Sequence, residues 1–307
     1  MSRSIAIIGA PTSAGAYSPG QEDAPVAFRE AGLAAALSEA GFEVVDRGDI
    51  PKWRWRPDRG SPRAMNANAV AAGIRAVAEE VAAAAAAGQT PLVLGGDCTV
   101  GIGSIAGMRS ALPRLRLLYY HAHPDLNVPS AVVDGAFDWM GVAHMLDLPG
   151  ADAVVANAAP GGAPVLAAEE LMLIANSAPR CSAHELRVIA ERGIANVPES
   201  EVGADPVAAA RRGLEWASHS DGYLVHLDTD TIDFAELPLA ENTDRNVGLP
   251  FETVMSGLDV LLGGERLAAL TVTEANPHHG EPGGATFRTF VERLAHSFAG
   301  YDSVDTS

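Results

Sequence analysis

The chain has 307 residues, 48% of them hydrophobic, and a formal net charge of −18. That length and apolar content allow a sizeable buried core, in one large α/β domain or two small ones. The charge excludes nucleic acid and anionic membranes as natural partners, because both need clustered Lys and Arg, and Lys52 is the only lysine.

The N-terminus, with the short apolar run Ile5–Ala10, reads as a first strand; the apolar core of a secretory signal runs to roughly 7–15 residues. No stretch approaches the roughly 20 apolar residues of a membrane span. Two cysteines, Cys98 and Cys181, make no disulfide framework, which fits a reducing cytoplasm. In chain order, apolar runs predict strands at 5–8, 43–47, 92–94, 115–120, 171–175, 195–197, 222–227 and 269–273. Between them, Ala/Leu/Glu/Arg-rich stretches predict helices near 24–40, 66–87, 101–111, 183–192, 206–219, 250–263 and 284–298. Near-continuous apolar strands alternating with helices imply a three-layer αβα sandwich around a mostly parallel sheet of about eight strands. No linker divides residues 1–307, so a single domain is expected, with 301–307 as a polar, flexible tail. Segments 48–65 and 124–168 are long and rich in Gly, Pro, Ala and Asp, as binding loops are.

Ligands of parallel sheets bind at the C-terminal ends of the strands. Four polar clusters stand there. After the third strand comes Gly95-Gly96-Asp97-Cys98, opening a helix; a cysteine at a helix N-terminus favours thiolate, and a buried inert cysteine is the alternative. His121, His123 and Asp125 follow the fourth strand at i, i+2 and i+4, so they share one side of an extended segment. His226, Asp228 and Asp230 share one face after the seventh. Carboxylates this close repel unless a cation lies between them. Glu274 follows the last strand, ahead of His278 and His279, and adjacent loop histidines are more often solvent-exposed.

In order and spacing these clusters resemble the arginase/agmatinase (ureohydrolase) family along nearly the whole chain. Gly95-Gly96-Asp97-Cys98 is similar to its Gly-Gly-Asp-His motif, and His121-Ala122-His123-Pro124-Asp125 to its Asp-Ala-His-x-Asp motif. Asp228-Thr229-Asp230-Thr231-Ile232-Asp233 resembles Asp-x-Asp-x-x-Asp-Pro, and Glu274-Ala275-Asn276-Pro277 resembles Glu-x-Asn-Pro. Ile8-Gly9-Ala10-Pro11 and 24–32 read like its opening strand and helix. The resemblance implies two Mn2+ ions sharing a water that attacks a guanidinium carbon. One ion would lie near Cys98, His121, Asp125 and Asp228, the other near His121, His123, Asp228 and Asp230. Asp125 would ligate and accept a proton, and Glu274 would hold the guanidinium group. Asn127 and Glu185 fall where arginases contact the substrate's α-carboxylate and α-amino group, although Ser182 replaces an Asp. Met140 replaces the family's active-site His; His144, nearby, is not expected to substitute. Trimers or hexamers are common among relatives, so a homo-oligomer acting on a small molecule is expected.

Two metal positions depart from the pattern. Cys98 replaces a His, which favours Zn2+ or Fe2+ over Mn2+; a variant of the family acting on hydroxyguanidino amino acids also carries Cys there. His121 replaces the Asp that bridges the two metals. A neutral imidazole has one free lone pair and bridges only as imidazolate, so weakened binding of one metal is expected. His226, where the family has a small hydroxyl residue, could join the cluster. Three readings follow: hydrolysis of a guanidino or amidino C–N bond, with an arginine-like or hydroxyarginine-like amino acid among the candidate substrates; a mononuclear amidohydrolase, like the deacetylases that share this fold, or an iron-dependent redox enzyme; and a non-catalytic binding subunit.

Overall fold

The computed structural model describes residues 4–299; the expected tail at 301–307 lies outside them. In chain order the elements are β1 (Ser4–Gly9), α1 (Ala24–Glu30), α2 (Leu33–Glu39), β2 (Glu43–Asp49), α3 (Ala67–Ala86), β3 (Thr90–Leu94), α4 (Val100–Arg109) and β4 (Leu115–Tyr120). There follow α5 (Gly141–Met145), α6 (Ala153–Ala156), β5 (Leu171–Asn176), α7 (Ala183–Arg192), β6 (Ala195–Pro198), α8 (Glu199–Ala204) and α9 (Pro206–Ala217). The chain continues through β7 (Gly222–Asp228), α10 (Phe251–Gly263), β8 (Leu267–Thr273) and α11 (Ala285–Ala299). All eight predicted strands form. They make one sheet in the order β2-β1-β3-β8-β7-β4-β5-β6, parallel at every pairing where the sequence promised only mostly parallel.

Both faces of the sheet are covered, which is why its central strands are apolar on both sides, while the edge strand β2 is largely exposed. Ile5 and Ile7 of β1 join Phe28, Leu258 and Phe290 on one face. Ala6 and Ile8 point the other way, into a core with Ile74, Val77 and Ile102. This is the period-2 alternation of a strand buried twice.

The helix expected over 24–40 is two helices. Gly32 takes a left-handed φ of +87° at the N-cap of α2, a conformation that ends α1 and that glycine adopts without steric cost. The short helices α5, α6 and α8 were not expected; four to six residues carry too little periodicity to read. Among the described residues no helix is long and apolar enough to cross a membrane.

Helices α3 and α4 pack unusually closely, because Gly103 and Gly107 lie one turn apart on the same face of α4. A Cβ at Gly103 would sit 2.6 Å from the Ile74 carbonyl oxygen, and one at Gly107 would sit 2.6 Å from that of Ala78. Backbone cannot yield as a flexible side chain can. Gly107→Ala is therefore expected to lower stability by about 1–3 kcal/mol in urea unfolding, despite the better helix propensity of alanine. An unchanged midpoint would show that the two helices can separate without loss.

Candidate metal centre

The four adjacent strands β3, β8, β7 and β4 end at one cavity of about 690 Å3. Cys98 comes from the loop after β3, Glu274 from β8, Asp228 and Asp230 from β7, and His121, His123 and Asp125 from β4. The chain passes from β3 to β4 across a gap that β7 and β8 fill later. Such a reversal of strand order opens a crevice at the strand ends.

Two clusters of ligand atoms occur, Cys98/His121/Asp228 and His121/His123/Asp230. The Cys98 thiol donates to Asp228 Oδ2 at 2.9 Å. His121 Nε2 lies 3.1 Å from Asp228 Oδ2 and 2.9 Å from Asp230 Oδ1. His123 Nδ1 lies 3.1 Å from Asp230 Oδ2 and 3.2 Å from His121 Nε2. His121 Nδ1 is 3.5 Å from Asp125 Oδ2.

Burial and mutual charge set the proton affinities. Burial raises the Asp228 carboxyl, to about 7, against the pull of His121. Burial works against His121 carrying a charge, but Asp228, Asp125 and Asp230 outweigh it and hold the imidazole well above its usual value. For Asp230, burial is outweighed by His123 and His121, which keep it well below the carboxylate range. The expected helix-end thiolate at Cys98 is not what the surroundings favour. Burial, then Asp228 and Asp125, push the thiol well up, and α4 begins only at Val100. A thiolate there requires a cation.

The donors fit such a cation. His121 Nδ1 and Asp230 Oδ1 are buried without an aligned hydrogen bond, the latter although His121 Nε2 lies 2.9 Å away, and the atoms around them are a thiol, imidazoles and carboxylates, the ligand types of divalent transition metals. His121 belongs to both clusters through a single imidazole, which has one free lone pair when neutral.

The remaining expected residues are distributed as follows. Glu274 accepts from the Cys98 backbone N–H at 2.9 Å and from the Gln21 amide. Asp125 and Glu274 both take left-handed backbone, with φ of +49° and +63°. Asn127 and Glu185 line the cavity, but both Glu185 oxygens already accept backbone N–H groups, from Leu126 at 3.2 Å and Ser182 at 2.7 Å. The Ser182 hydroxyl donates to Asn127 Oδ1 at 2.9 Å. His278 pairs with Asp23 on the surface, and His279 faces the Ala240 carbonyl; neither lines the cavity.

His226 is fully buried behind Cys98, its Nε2 3.5 Å from the sulfur and 3.0 Å from Thr273 Oγ1. It stacks on Tyr119 at 4.4 Å. Tyr119, unremarked in the sequence, donates its hydroxyl to Asp125 Oδ2. It shares a strand face with His121 two positions on, a period-2 signal that could have found it. Gln21 left no such signal, since it reaches the site from a loop.

A model of the arginase family matches residues 3–299. The arginase of Bacillus subtilis (strain 168) is 29% identical over 297 residues, covering 96% of this chain and 98% of its own. A crystal structure of Bacillus subtilis arginase superposes with a TM-score of 0.85 at 27% identity, covering 97% of this chain and 99% of its own. Formimidoylglutamase from Bacillus subtilis subsp. subtilis str. 168, at 15% identity and a TM-score of 0.76 over 99% of this chain and 88% of its own, shares the fold. A three-layer α/β sandwich carrying buried carboxylates, imidazoles and a thiol at its central strand ends defines a hydrolase of the metal-dependent class. The chain belongs to the arginase family, and that membership supports metal-dependent hydrolysis of C–N bonds in guanidino or amidino compounds.

His144 lies outside this centre. Its Nε2 accepts the Asp152 backbone N–H at 2.9 Å, so its proton is on Nδ1, which donates to the Met140 carbonyl at 2.7 Å. Burial lowers its pKa. The unfolded chain then takes up a proton that the native state refuses, so the contribution is intact above about pH 6.5 and is lost as pH falls. Below about pH 6.5 wild-type stability is expected to decline more steeply with falling pH than that of His144→Gln, by at most about 1.4 kcal/mol per pH unit, as measured by urea unfolding across pH 7 to 5. Parallel curves would place the acid sensitivity elsewhere.

Proposed function

We propose that the protein hydrolyses the C–N bond of a guanidino or amidino compound, releasing an amine and urea, hydroxyurea or a related amide. The observation that carries this reading is the charge of the cavity. Asp125, Asp228, Asp230 and Glu274 lie together at the strand ends, and Asp134, Asp138 and Glu185 line the same space. Asp125, Asp228, Asp230, Glu274 and Glu185 are buried, and that much buried negative charge needs cationic occupants, both a metal and a planar cationic head group.

One divalent ion per chain would be held by His121 with either Cys98 and Asp228 or His123 and Asp230, with Asp125 beside it: Mn2+ by family, Zn2+ or Fe2+ by the chemistry of the thiol and imidazoles. When bound, such an ion supplies a water acidified to a pKa of about 7 and offsets the carboxylate charge. Glu274 orients the guanidinium: each oxygen accepts one protein donor and keeps a lone pair for a substrate N–H. The Tyr119 hydroxyl holds Asp125 Oδ2, which leaves Oδ1 to take a proton from the attacking water and pass it to the departing amine. Asn127 and Glu185 contact the far end of an amino-acid-like substrate. Burial of Asp125 and Asp228 to 1% exposure keeps bulk water from competing.

Glu274→Gln should keep its metal in elemental analysis yet lose about 100-fold or more in kcat/KM on a guanidino substrate, because it removes charge-assisted hydrogen bonds to the head group. Full activity in this variant would remove Glu274 from the mechanism. Purified wild-type protein should carry about one metal per chain, and His121→Asp, which restores a two-oxygen bridging ligand, about two. Two firmly bound ions in the wild type would refute the single-ion assignment.

A further inference from the structure

The cavity is acidic, yet one cationic side chain stands in it. Among the described residues that line it, Arg180 is the only Lys or Arg. It ends a short turn, Ala178–Arg180, after β5, two residues before Ser182. Its side chain is 15% exposed, and its Nη1 is buried with no hydrogen-bond partner. The carboxylate nearest to it is Asp230, whose Oδ2 lies 4.0 Å from Nη2. That is beyond hydrogen-bond reach, and the oxygen is already approached by His123 Nδ1 at 3.1 Å and by the Asn242 amide at 3.2 Å. A guanidinium serving only to balance Asp230 would close on it in a bidentate fork, as Arg109 does on Glu170 at 3.0 and 2.7 Å. Arg180 does not. A buried guanidinium donor left without an acceptor is costly, and it is relieved when a ligand brings one.

We infer that Arg180 is a specificity-determining residue that binds the carboxylate of the substrate, whose guanidino or amidino head lies at Glu274. This rests on the proposed function above and narrows it to guanidino or amidino carboxylic acids. The neighbouring groups agree. Asn127 turns its Oδ1 to the Ser182 hydroxyl, so its amide nitrogen is the end left to donate. Glu185 is fixed in place by one backbone N–H on each oxygen, each of which keeps a lone pair, so the carboxylate contact is the one that Arg180 adds. A planar, permanently charged fork is also the side chain best matched to a carboxylate.

Two ligands that differ only in their far end, 4-guanidinobutanoate and 4-guanidinobutylamine, test this by calorimetric titration of the full-length, metal-loaded protein. The wild type is expected to prefer the acid. Arg180→Gln should reduce the acid-to-amine affinity ratio by about 10- to 100-fold, Arg180→Lys should restore part of it, and Arg180→Glu should reverse it. A merely structural role would weaken both ligands alike and leave the ratio unchanged. An unchanged ratio, a wild type that prefers the amine, or binding of neither ligand would overturn the inference. Hydrolysis of the same two compounds is read separately. An Arg180-dependent preference for the acid without turnover would leave this assignment standing and count against the proposed reaction.

Discussion

Three buried carboxylates, Asp125, Asp228 and Asp230, face a single imidazole, His121, at distances of 2.9–3.5 Å. All four side chains are at least nine-tenths buried. The surrounding architecture makes this crowding unavoidable: four parallel strands side by side deliver their C-terminal ends to one place, and both faces of the sheet are sealed by helices. Tyr119, Asn242 and the backbone of Asp230 absorb part of the charge through hydrogen bonds. The rest calls for a cation. The acidity of the cavity, the raised proton affinities of Cys98 and Asp228, and the fit to a cationic head group all follow from that one constraint.

The two departures from the family pattern act on the constraint differently. Cys98 keeps a ligand but makes it conditional, since its sulfur is a thiol until a cation draws off the proton. His121 alters the charge itself: an imidazole replaces a carboxylate that could have faced two ions. Arg180 adds positive charge 4.0 Å from Asp230. His121 and Arg180 both reduce the negative charge that faces a bound dication.

The sheet was largely legible in the sequence, because a strand buried on both faces leaves a run of Val, Ile and Leu that little else imitates. The ligand clusters were legible because they follow those runs at i, i+2 spacing. What escaped has a physical reason in each case. The break at Gly32 depends on one left-handed residue in an otherwise helical stretch. Gln21 and Arg180 reach the site from loops, where no periodicity marks a side chain's direction. The environment of Cys98 depended on residues far away in the chain, and proximity to a helix start was a poor guide to it. Glu185 lined the cavity as expected, but its capping of α7 could be seen only once the Ser182 hydroxyl and both carboxylate oxygens were placed.

Asp125 and Glu274 hold left-handed backbone that costs a side-chain-bearing residue about 1–2 kcal/mol each. Glycine would relieve that cost at both positions. The chain thus sits below the stability its own fold would permit, and does so at two carboxylates of its most charged site. Relieving the strain with glycine would remove two carboxylates from the cavity, so stability and the charge of the site pull in opposite directions at these two positions.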